Sequence, residues 1–315
     1  MPPMPLVYVH GAGPQASAAV FKHEADDLIF GMDMPSTRVG YYANVRWPPA
    51  TGGGTAAAPA RTNRARRVRA IRSTMAPELS ADAAAAQIVA ATLTAPPTDG
   101  RRAAAGTTRP TADDVAEATR LVEELYREAD RIANRSPRPR GRGTALNIAF
   151  PDPIFRFVVG KFASDVIDYL YGPFKAEMRE PVRQALKASP PPKVVVAHSL
   201  GTIITYDVLS EPDFAGLKID LLVTVGCPLG IGNVQRLIRD RAGRPNPVPP
   251  SLAAWSNFSD PFDPVALEQT LRDEFDPPRN FAQDEQVNNQ ARNNHDLAGY
   301  LRIPVVSRAI ATAAG

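Results

Sequence analysis

Apolar residues in this chain form short unbroken runs. Between these runs lie longer segments in which apolar residues recur at wider spacings. An unbroken run of four to eight apolar residues is typical of a strand buried on both faces of a parallel sheet. One further segment alternates between apolar and polar residues, as a half-buried strand does. The strands predicted in this way are residues 5–9, 37–47, 194–196, 219–225 and 252–258.

Helical patterns lie between these runs, at residues 18–30, 80–93 and 111–132. The third pattern has the clearest beginning, because Thr111 is followed three residues later by Asp114, a pair that can cap a helix. Strands that alternate with helices indicate an α/β fold with a mostly parallel central sheet and helices on both faces.

The chemistry of the chain centres on the stretch VVVAHSLG, residues 194–201. Here a β-branched run leads directly into Ser199, which has the small residues Ala197 and Gly201 two positions away on either side. A nucleophile elbow, the sharp strand-to-helix turn of the G-x-S-x-G type, needs small flanking residues of this kind. Ala197 adds only one methyl group to that pattern. We therefore expect Ser199 to stand exposed at the carboxyl end of its strand, and an ordinary serine at a strand-helix junction is the alternative.

Four segments together resemble the α/β-hydrolase superfamily, in particular bacterial serine hydrolases with lipase-like motifs. They are VYVHGAG at residues 7–13, AHSLGT at 197–202, DPFDPVA at 260–266 and NNHDLAGYL at 293–301. The resemblance covers roughly residues 5–47 and 150–310. Its motifs are specific for the fold and for a catalytic triad, and they say little about the substrate.

The resemblance implies that the triad follows the chain order serine, acid, histidine. A general base must then lie after Ser199, and His295 is the one histidine that does. His10, His23 and His198 are interpreted as structural or surface residues.

The acid of the triad should fix the tautomer of the histidine and stabilise its charge. Two residues qualify, Asp260 and Asp263. Asp260 lies closer to the end of its strand, whereas the sequence Asp263-Pro-Val is similar to the D-x-V-P loop of family lipases. Tyr300, a few residues after His295, is likewise similar to an aromatic that follows the base in those lipases. We favour Asp263 and leave Asp260 open.

The resemblance also implies an oxyanion hole made of two backbone N–H groups. One would come from Ala12, in the loop after the first strand, and the other from Leu200, next to the nucleophile. Because larger members of the family have two strands before the point where this chain begins, we expect a reduced sheet of about five or six strands. The strand of Ser199 should lie near the middle of this sheet.

Composition changes sharply between residues 48 and 143, which we interpret as an insertion into a single domain of residues 1–315. The insertion contains Gly52–Gly54, the arginine-dense segment Arg61–Arg69 and the proline- and arginine-rich break at Ser136–Gly143. No aromatic residue is interleaved with those arginines to stack on bases. We therefore expect them in a solvated loop or a packing contact, and we expect no nucleic acid partner.

One apolar stripe follows the third predicted helix, and it should pack on the hydrolase body or on a second subunit. Insertions in the family often serve as lids, a role that the position of this insertion permits. The stripe consists of Val115, Ala118, Val122, Leu125, Ala129 and Ile132.

Composition limits the disulfides, metal clusters and membrane-spanning helices that this chain can form. The net charge of +3 is small for 315 residues, and the single cysteine, Cys227, excludes an intrachain disulfide and a cysteine metal cluster. We interpret Cys227 as a small buried residue rather than a reactive thiol. No apolar run approaches the length of about 18 residues that a transmembrane helix needs. A cytoplasmic protein is expected, and the oligomeric state stays open.

These observations predict a serine hydrolase that cleaves a small-molecule carboxylic ester through Ser199, Asp263 and His295, without a metal or organic cofactor. Two alternatives are a lipase or phospholipase that acts at a membrane surface and a non-catalytic protein that binds partners through the arginine-rich insertion.

Overall fold

The structure, a computed structural model, divides into two compact units. Met1–Pro49 and Phe174–Gly315 form the sheet unit, and Ala50–Pro173 form the helical unit. The residues that the structure describes are 3–47, 58–76, 79–93, 110–135, 152–238, 246–291 and 293–315.

The strands of the described residues all belong to the sheet unit. In chain order they are β1 (Leu6–Val9), β2 (Arg38–Gly40), β3 (Lys193–His198), β4 (Ile219–Val225), β5 (Asn246–Pro247), β6 (Leu252–Ser259), β7 (Phe275–Asp276) and β8 (Phe281–Gln286).

Six of these strands form one sheet in the order β2-β1-β3-β4-β6-β8, and β5 pairs with β7 in a small second sheet. Each pairing in the large sheet is parallel. The carboxyl ends of its strands therefore meet at one edge, where Val9 pairs with Ala197 and Ala197 pairs with Thr224. The expected sheet of five or six strands, with the Ser199 strand near its middle, is confirmed, since β3 is third of six.

Helices occur in both units. In chain order they are α1 (Ala18–Phe30), α2 (Ala43–Arg46), α3 (Ala58–Ser73), α4 (Ala81–Leu93), α5 (Ala112–Arg135), α6 (Asp152–Leu170), α7 (Lys175–Ala188), α8 (Leu200–Leu209), α9 (Gly232–Ile238), α10 (Leu297–Leu301) and α11 (Pro304–Ala314). Short 3₁₀ turns lie at Pro212–Phe214, Pro228–Gly230, Arg272–Glu274 and Pro278–Asn280.

One face of the large sheet packs against α1, α10 and α11. Tyr8, Val196 and Val223 project from three neighbouring strands and form one core cluster with Phe21 of α1 and Ile310 of α11. Because side chains alternate between the two faces of a strand, the residues between them point the other way.

Helices α7 and α8 cover that opposite face. A methyl group at Gly201 of α8 would lie 3.0 Å from Val9 Cγ1, and one at Gly40 of β2 would lie 3.0 Å from Val182 Cγ2 of α7. The glycines thus let each helix approach the sheet closely. The structure is an α/β fold with helices on both faces of a parallel sheet.

The second strand is shorter than the sequence predicts, and the prediction of a strand over residues 37–47 is wrong beyond Gly40. The backbone N–H groups of Tyr42 and Ala43 donate to Nε2 of the buried His10, at 3.0 and 3.2 Å. These bonds draw the chain away from the sheet, and it continues as α2.

The helical unit contains α3 to α6. At the start of α5, the Asp114 N–H donates to Thr111 Oγ1 at 3.1 Å, and the Thr111 N–H donates to Asp114 Oδ2 at 2.7 Å, so the predicted cap is present. Helix α5 packs against α4 and α6, and the apolar stripe, including Val122 and Leu125, is buried except at Val115, which is half-buried. The stripe therefore helps to build the core of its own unit, whereas the sequence predicted packing on the hydrolase body or on a second subunit.

The arginine-dense segment contributes to α3 rather than to a loop. Within it, Arg67 is buried and lies 3.3 Å from Asp168 of α6, in an ion pair that joins two helices of the unit. Composition places the end of the insertion at residue 143, but the helical unit extends to Pro173. It therefore includes α6, which packs with α3, α4 and α5. The breaks at Gly52–Gly54 and Ser136–Gly143 lie outside the described residues. The lid role of the insertion stays a prediction.

None of the helices in the described ranges is both long enough and apolar enough to cross a membrane.

The buried stripe leads to a test of the helical unit. Leu125 is fully buried in α5, whereas Ala116 in the same helix is exposed. Leu125→Asp should lower the free energy of unfolding by at least ~3 kcal/mol, because it removes apolar contacts and buries a charge. Ala116→Asp, the matched control, should change it little. Denaturant titration followed by circular dichroism measures both, and equal stabilities would show that the stripe is not a core.

Candidate active site

The turn from β3 to α8 places Ser199 in a conformation that side chains rarely adopt. Its φ is 55° and its ψ is −130°, and within the described residues it is the only non-glycine with a positive φ. Neighbouring hydrogen bonds hold this turn: the Ser199 N–H donates to the Val225 carbonyl at 3.2 Å, and Thr202 Oγ1 donates to the Ser199 carbonyl at 2.7 Å. The backbone strain points the serine side chain out of the turn, as in a nucleophile elbow.

The surroundings of Gly201 show why the residue two positions after Ser199 must be small. A methyl group there would lie 2.3 Å from the carbonyl oxygen of His10 and 2.7 Å from that of Val9. Helix α8 could then start only by moving away from β1. Ala197, which stands at the first glycine of the usual pattern, is fully buried in β3, and its methyl group is accommodated there.

Ser199, His295 and Asp263 form a continuous chain of hydrogen bonds. Ser199 Oγ lies 2.7 Å from His295 Nε2. On the other side of the ring, His295 Nδ1 lies 2.8 Å from Asp263 Oδ1 and 2.9 Å from Oδ2. The three residues come from the end of β3, the loop after β6 and the loop before α10, and the fold brings them together at the carboxyl edge of the sheet.

These contacts assign the tautomer of His295. A carboxylate only accepts hydrogen bonds, so in the neutral ring the nitrogen beside Asp263 carries the proton and Nε2 carries the lone pair. The Ser199 hydroxyl then donates to Nε2. An imidazole held in this way can take the proton of the hydroxyl and leave the oxygen nucleophilic.

Asp263 is fixed by three further donors. Its Oδ1 accepts the N–H groups of Val265 at 2.8 Å and Ala266 at 3.3 Å, and its Oδ2 accepts the hydroxyl of Tyr300 at 2.8 Å. Burial raises the pKa of Tyr300 well above its usual value, and the Asp263 charge adds to the effect. Tyr300 therefore stays a neutral donor, and the carboxylate cannot rotate away from His295.

Gly226, just after β4, leaves the space that the side chains of Asp263 and His295 occupy. A methyl group at this position would lie 2.9 Å from Asp263 Oδ2 and 3.1 Å from His295 Nδ1. The φ of Gly226 is 55°, so a side chain here would also strain the backbone.

Asp260 lies in the same loop as Asp263 and has different partners. Its Oδ1 accepts the N–H of Phe262 at 2.7 Å, and its Oδ2 accepts the Asn289 N–H and the Asn294 amide group, the latter at 3.2 Å. Burial raises the pKa of its carboxyl. Of the two candidate acids, the structure brings Asp263 to the ring of His295, while Asp260 holds the loop that carries His295.

In that loop, residues 287–291 and 293–296 are described and have no regular secondary structure, and we call them the base loop. Its asparagines replace the missing backbone ladder: Asn289 donates to the carbonyls of Asn294 at 2.9 Å and Asp296 at 3.1 Å. The Asn293 side chain accepts the N–H of His295 at 3.1 Å. The base loop is thus ordered by asparagine side chains whose contacts the sequence does not predict, although the asparagine-rich sequence of the loop is a signal for them.

Ser199 is buried, and the expectation that it stands exposed is wrong. Its exposed fraction is 0%, and that of His295 is 8%. The loop after β1 comes close on one side, since a methyl group at Gly11 would lie 2.8 Å from Ser199 Cβ. The His295 ring covers the hydroxyl itself. Electrostatic interactions between the three side chains are therefore less screened than they would be in water.

The two amides predicted to form an oxyanion hole donate no hydrogen bond to any described residue. Leu200 is the first residue of α8, where helical N–H groups have no partner within the helix. Ala12 lies in the loop that approaches Ser199 through Gly11, and it is half-buried. Both N–H groups can therefore donate a hydrogen bond to a further acceptor.

The remaining histidines before Ser199 and the single cysteine lie outside this hydrogen-bonded chain. His10 is buried and its Nε2 accepts two backbone N–H groups, while His23 is 69% exposed. Burial raises the pKa of Cys227 to about 12, so its thiol stays protonated, and it contacts Thr202 Oγ1 at 3.3 Å. Among the described residues, no group of three or more histidine, cysteine, aspartate or glutamate side chains could hold a metal ion.

Comparison with known proteins finds no matching family model, no matching curated protein and no matching solved structure.

Proposed function

We propose that this chain is a serine hydrolase of the α/β-hydrolase type that cleaves carboxylic esters through an acyl-enzyme on Ser199. One observation carries the proposal: the hydrogen-bonded chain from Ser199 Oγ through His295 to Asp263, which begins at a serine with a strained positive φ. A protein that only binds partners has no requirement for this strain or for three aligned side chains.

The first half of the proposed reaction transfers the acyl group to the protein. Ser199 Oγ attacks the ester carbonyl carbon while His295 Nε2 takes the hydroxyl proton. The imidazolium that forms is stabilised by Asp263 at Nδ1. When the tetrahedral intermediate collapses, the bond to the alcohol oxygen breaks, and His295 returns its proton to that oxygen.

The second half releases the acid. A water molecule gives a proton to His295 Nε2 and attacks the acyl carbon, and the bond to Ser199 Oγ breaks as the proton passes to that oxygen. In both halves the carbonyl oxygen becomes negative. The amides of Ala12 and Leu200 are the donors we propose for it, and removing one such donor typically costs 10²–10³-fold in kcat.

These steps need only the residues named and water, so the proposed reaction requires no metal or organic cofactor. The preference for an ester over an amide rests on the resemblance of the sequence motifs to esterases and lipases, which is an argument by analogy.

The nucleophile can be tested by covalent labelling. A small fluorophosphonate should add once to the protein, because Ser199 Oγ displaces fluoride from phosphorus and the adduct resembles the tetrahedral intermediate. Intact mass and peptide mapping should place the adduct on Ser199. Ser199→Ala should take up no label while it unfolds like the wild type, and labelling that survives this substitution would contradict the assignment.

The acid can be tested by comparing two neighbouring carboxylates. Asp263→Asn should lower kcat for an activated ester by about 10⁴-fold, because an amide group beside Nδ1 favours the wrong imidazole tautomer. Asp260→Asn should lower kcat far less and should lower the melting temperature, because it loosens the base loop. Asp273→Asn, at an exposed position, controls for the loss of one charge. If Asp260→Asn has the larger effect on kcat in folded protein, Asp260 is the acid.

A further inference from the structure

We propose that His198 is a positioning residue for the general base: its Nε2–H holds the main-chain carbonyl of His295 and so sets the approach of His295 to Ser199. The inference rests on the proposed function, and it assigns a role to a histidine that the triad does not use.

The first observation is a hydrogen bond between the nucleophile turn and the base loop. His198 Nε2 lies 2.9 Å from the carbonyl oxygen of His295. A carbonyl only accepts, so Nε2 carries the proton, and the bond fixes the backbone of the base itself. One residue earlier, the side-chain amide of Asn294 donates to Asp260 Oδ2 and to the main-chain carbonyl of Asn289, and these two bonds fix the neighbouring part of the base loop.

The second observation is the packing of the two imidazole rings. Their centroids are 4.7 Å apart and their planes are inclined by 37°. The His198 ring therefore lies beside the ring that takes the proton from Ser199. Main chain and side chain of His295 are both held by one residue, which is covalently bonded to the nucleophile.

The third observation is that the loop after β1 lies close to the Nδ1 edge of the His198 ring. A methyl group at Gly11 would lie 2.7 Å from His198 Nδ1 and 3.1 Å from Cε1. The ring is thus wedged between the loop after β1 and the base loop. It cannot turn without disturbing the loop that carries Ala12.

His198 is also held in its neutral form. Burial lowers its pKa well below the usual value, and the nearby His295 and His10 rings lower it further. A neutral ring spares the site a second positive charge beside the imidazolium that forms on His295. The proton it does carry stays on Nε2, where the bond to His295 needs it.

The test compares two substitutions of nearly equal length. His198→Gln places an amide N–H near the position of Nε2, whereas His198→Met fills the space without a donor. For hydrolysis of an activated short-chain ester, with active sites counted by fluorophosphonate titration, His198→Met should lose about 10-fold to 100-fold in kcat per active site, as expected for a misplaced catalytic group. KM should change little, and His198→Gln should recover most of the loss.

Counting active sites separates positioning from folding, because a purely structural role would reduce the number of active molecules and leave kcat per site unchanged. The positioning role is wrong if the two variants lose kcat per site equally, or if neither loses it.

A second readout needs no substrate. The proton that His295 Nδ1 shares with Asp263 should give a proton NMR line far downfield of the amides in the wild type and in His198→Gln. In His198→Met that line should shift or broaden. If the wild type neither cleaves esters nor takes up label, the proposed function fails, and this line alone decides the positioning role: an unchanged line in His198→Met would overturn it.

Discussion

The strained turn at Ser199 is the constraint on which the rest of the site depends. A non-glycine residue held at a positive φ costs about 1–3 kcal/mol and persists only where surrounding contacts over-determine it. Two of those contacts are hydrogen bonds, one to the Val225 carbonyl of β4 and one from Thr202 of α8. In addition, Gly201 has no side chain, so α8 can lie close against β1. The backbone strain thus lies in the turn where the chain leaves β3 and where the Ser199 hydroxyl meets the His295 imidazole.

Once that turn is fixed, the other groups follow from the topology of the sheet. In a parallel sheet the loops at the carboxyl ends of neighbouring strands lie side by side, and open α/β sheets place their chemistry there. Gly11 follows β1, Ser199 follows β3, Gly226 follows β4 and Asp263 follows β6. Two of these positions are glycines because the side chains of the site approach their backbones too closely for a Cβ.

Much of this arrangement is present in the sequence. Unbroken apolar runs predicted the central strands, and the spacing of small residues around Ser199 predicted the turn. The sequence alone does not separate Asp260 from Asp263, because the two residues are close in the chain and both follow the strand. The structure separates them through a turn in which the Asp263 N–H donates to the Asp260 carbonyl at 2.9 Å. Asp263 then faces His295 while Asp260 faces the base loop.

Other features could not be read from the sequence because they depend on contacts distant in the chain. The early end of β2 depends on His10, more than 30 residues away from Tyr42 and Ala43. The burial of Ser199 depends on Gly11 and His295, and the roles of Tyr300 and His198 depend on which loops meet at the edge of the sheet. Local pattern identifies elements, whereas these features arise only after the elements have packed.

The most direct measurement is the mass of the protein stopped in acid during its first turnovers of a p-nitrophenyl ester. A good leaving group makes acylation fast, so the acyl-enzyme should accumulate together with a burst of p-nitrophenol. We expect a mass increase of one acyl group on the peptide that contains Ser199. Turnover without any such adduct, or with the acyl group on another residue, would contradict nucleophilic catalysis by Ser199.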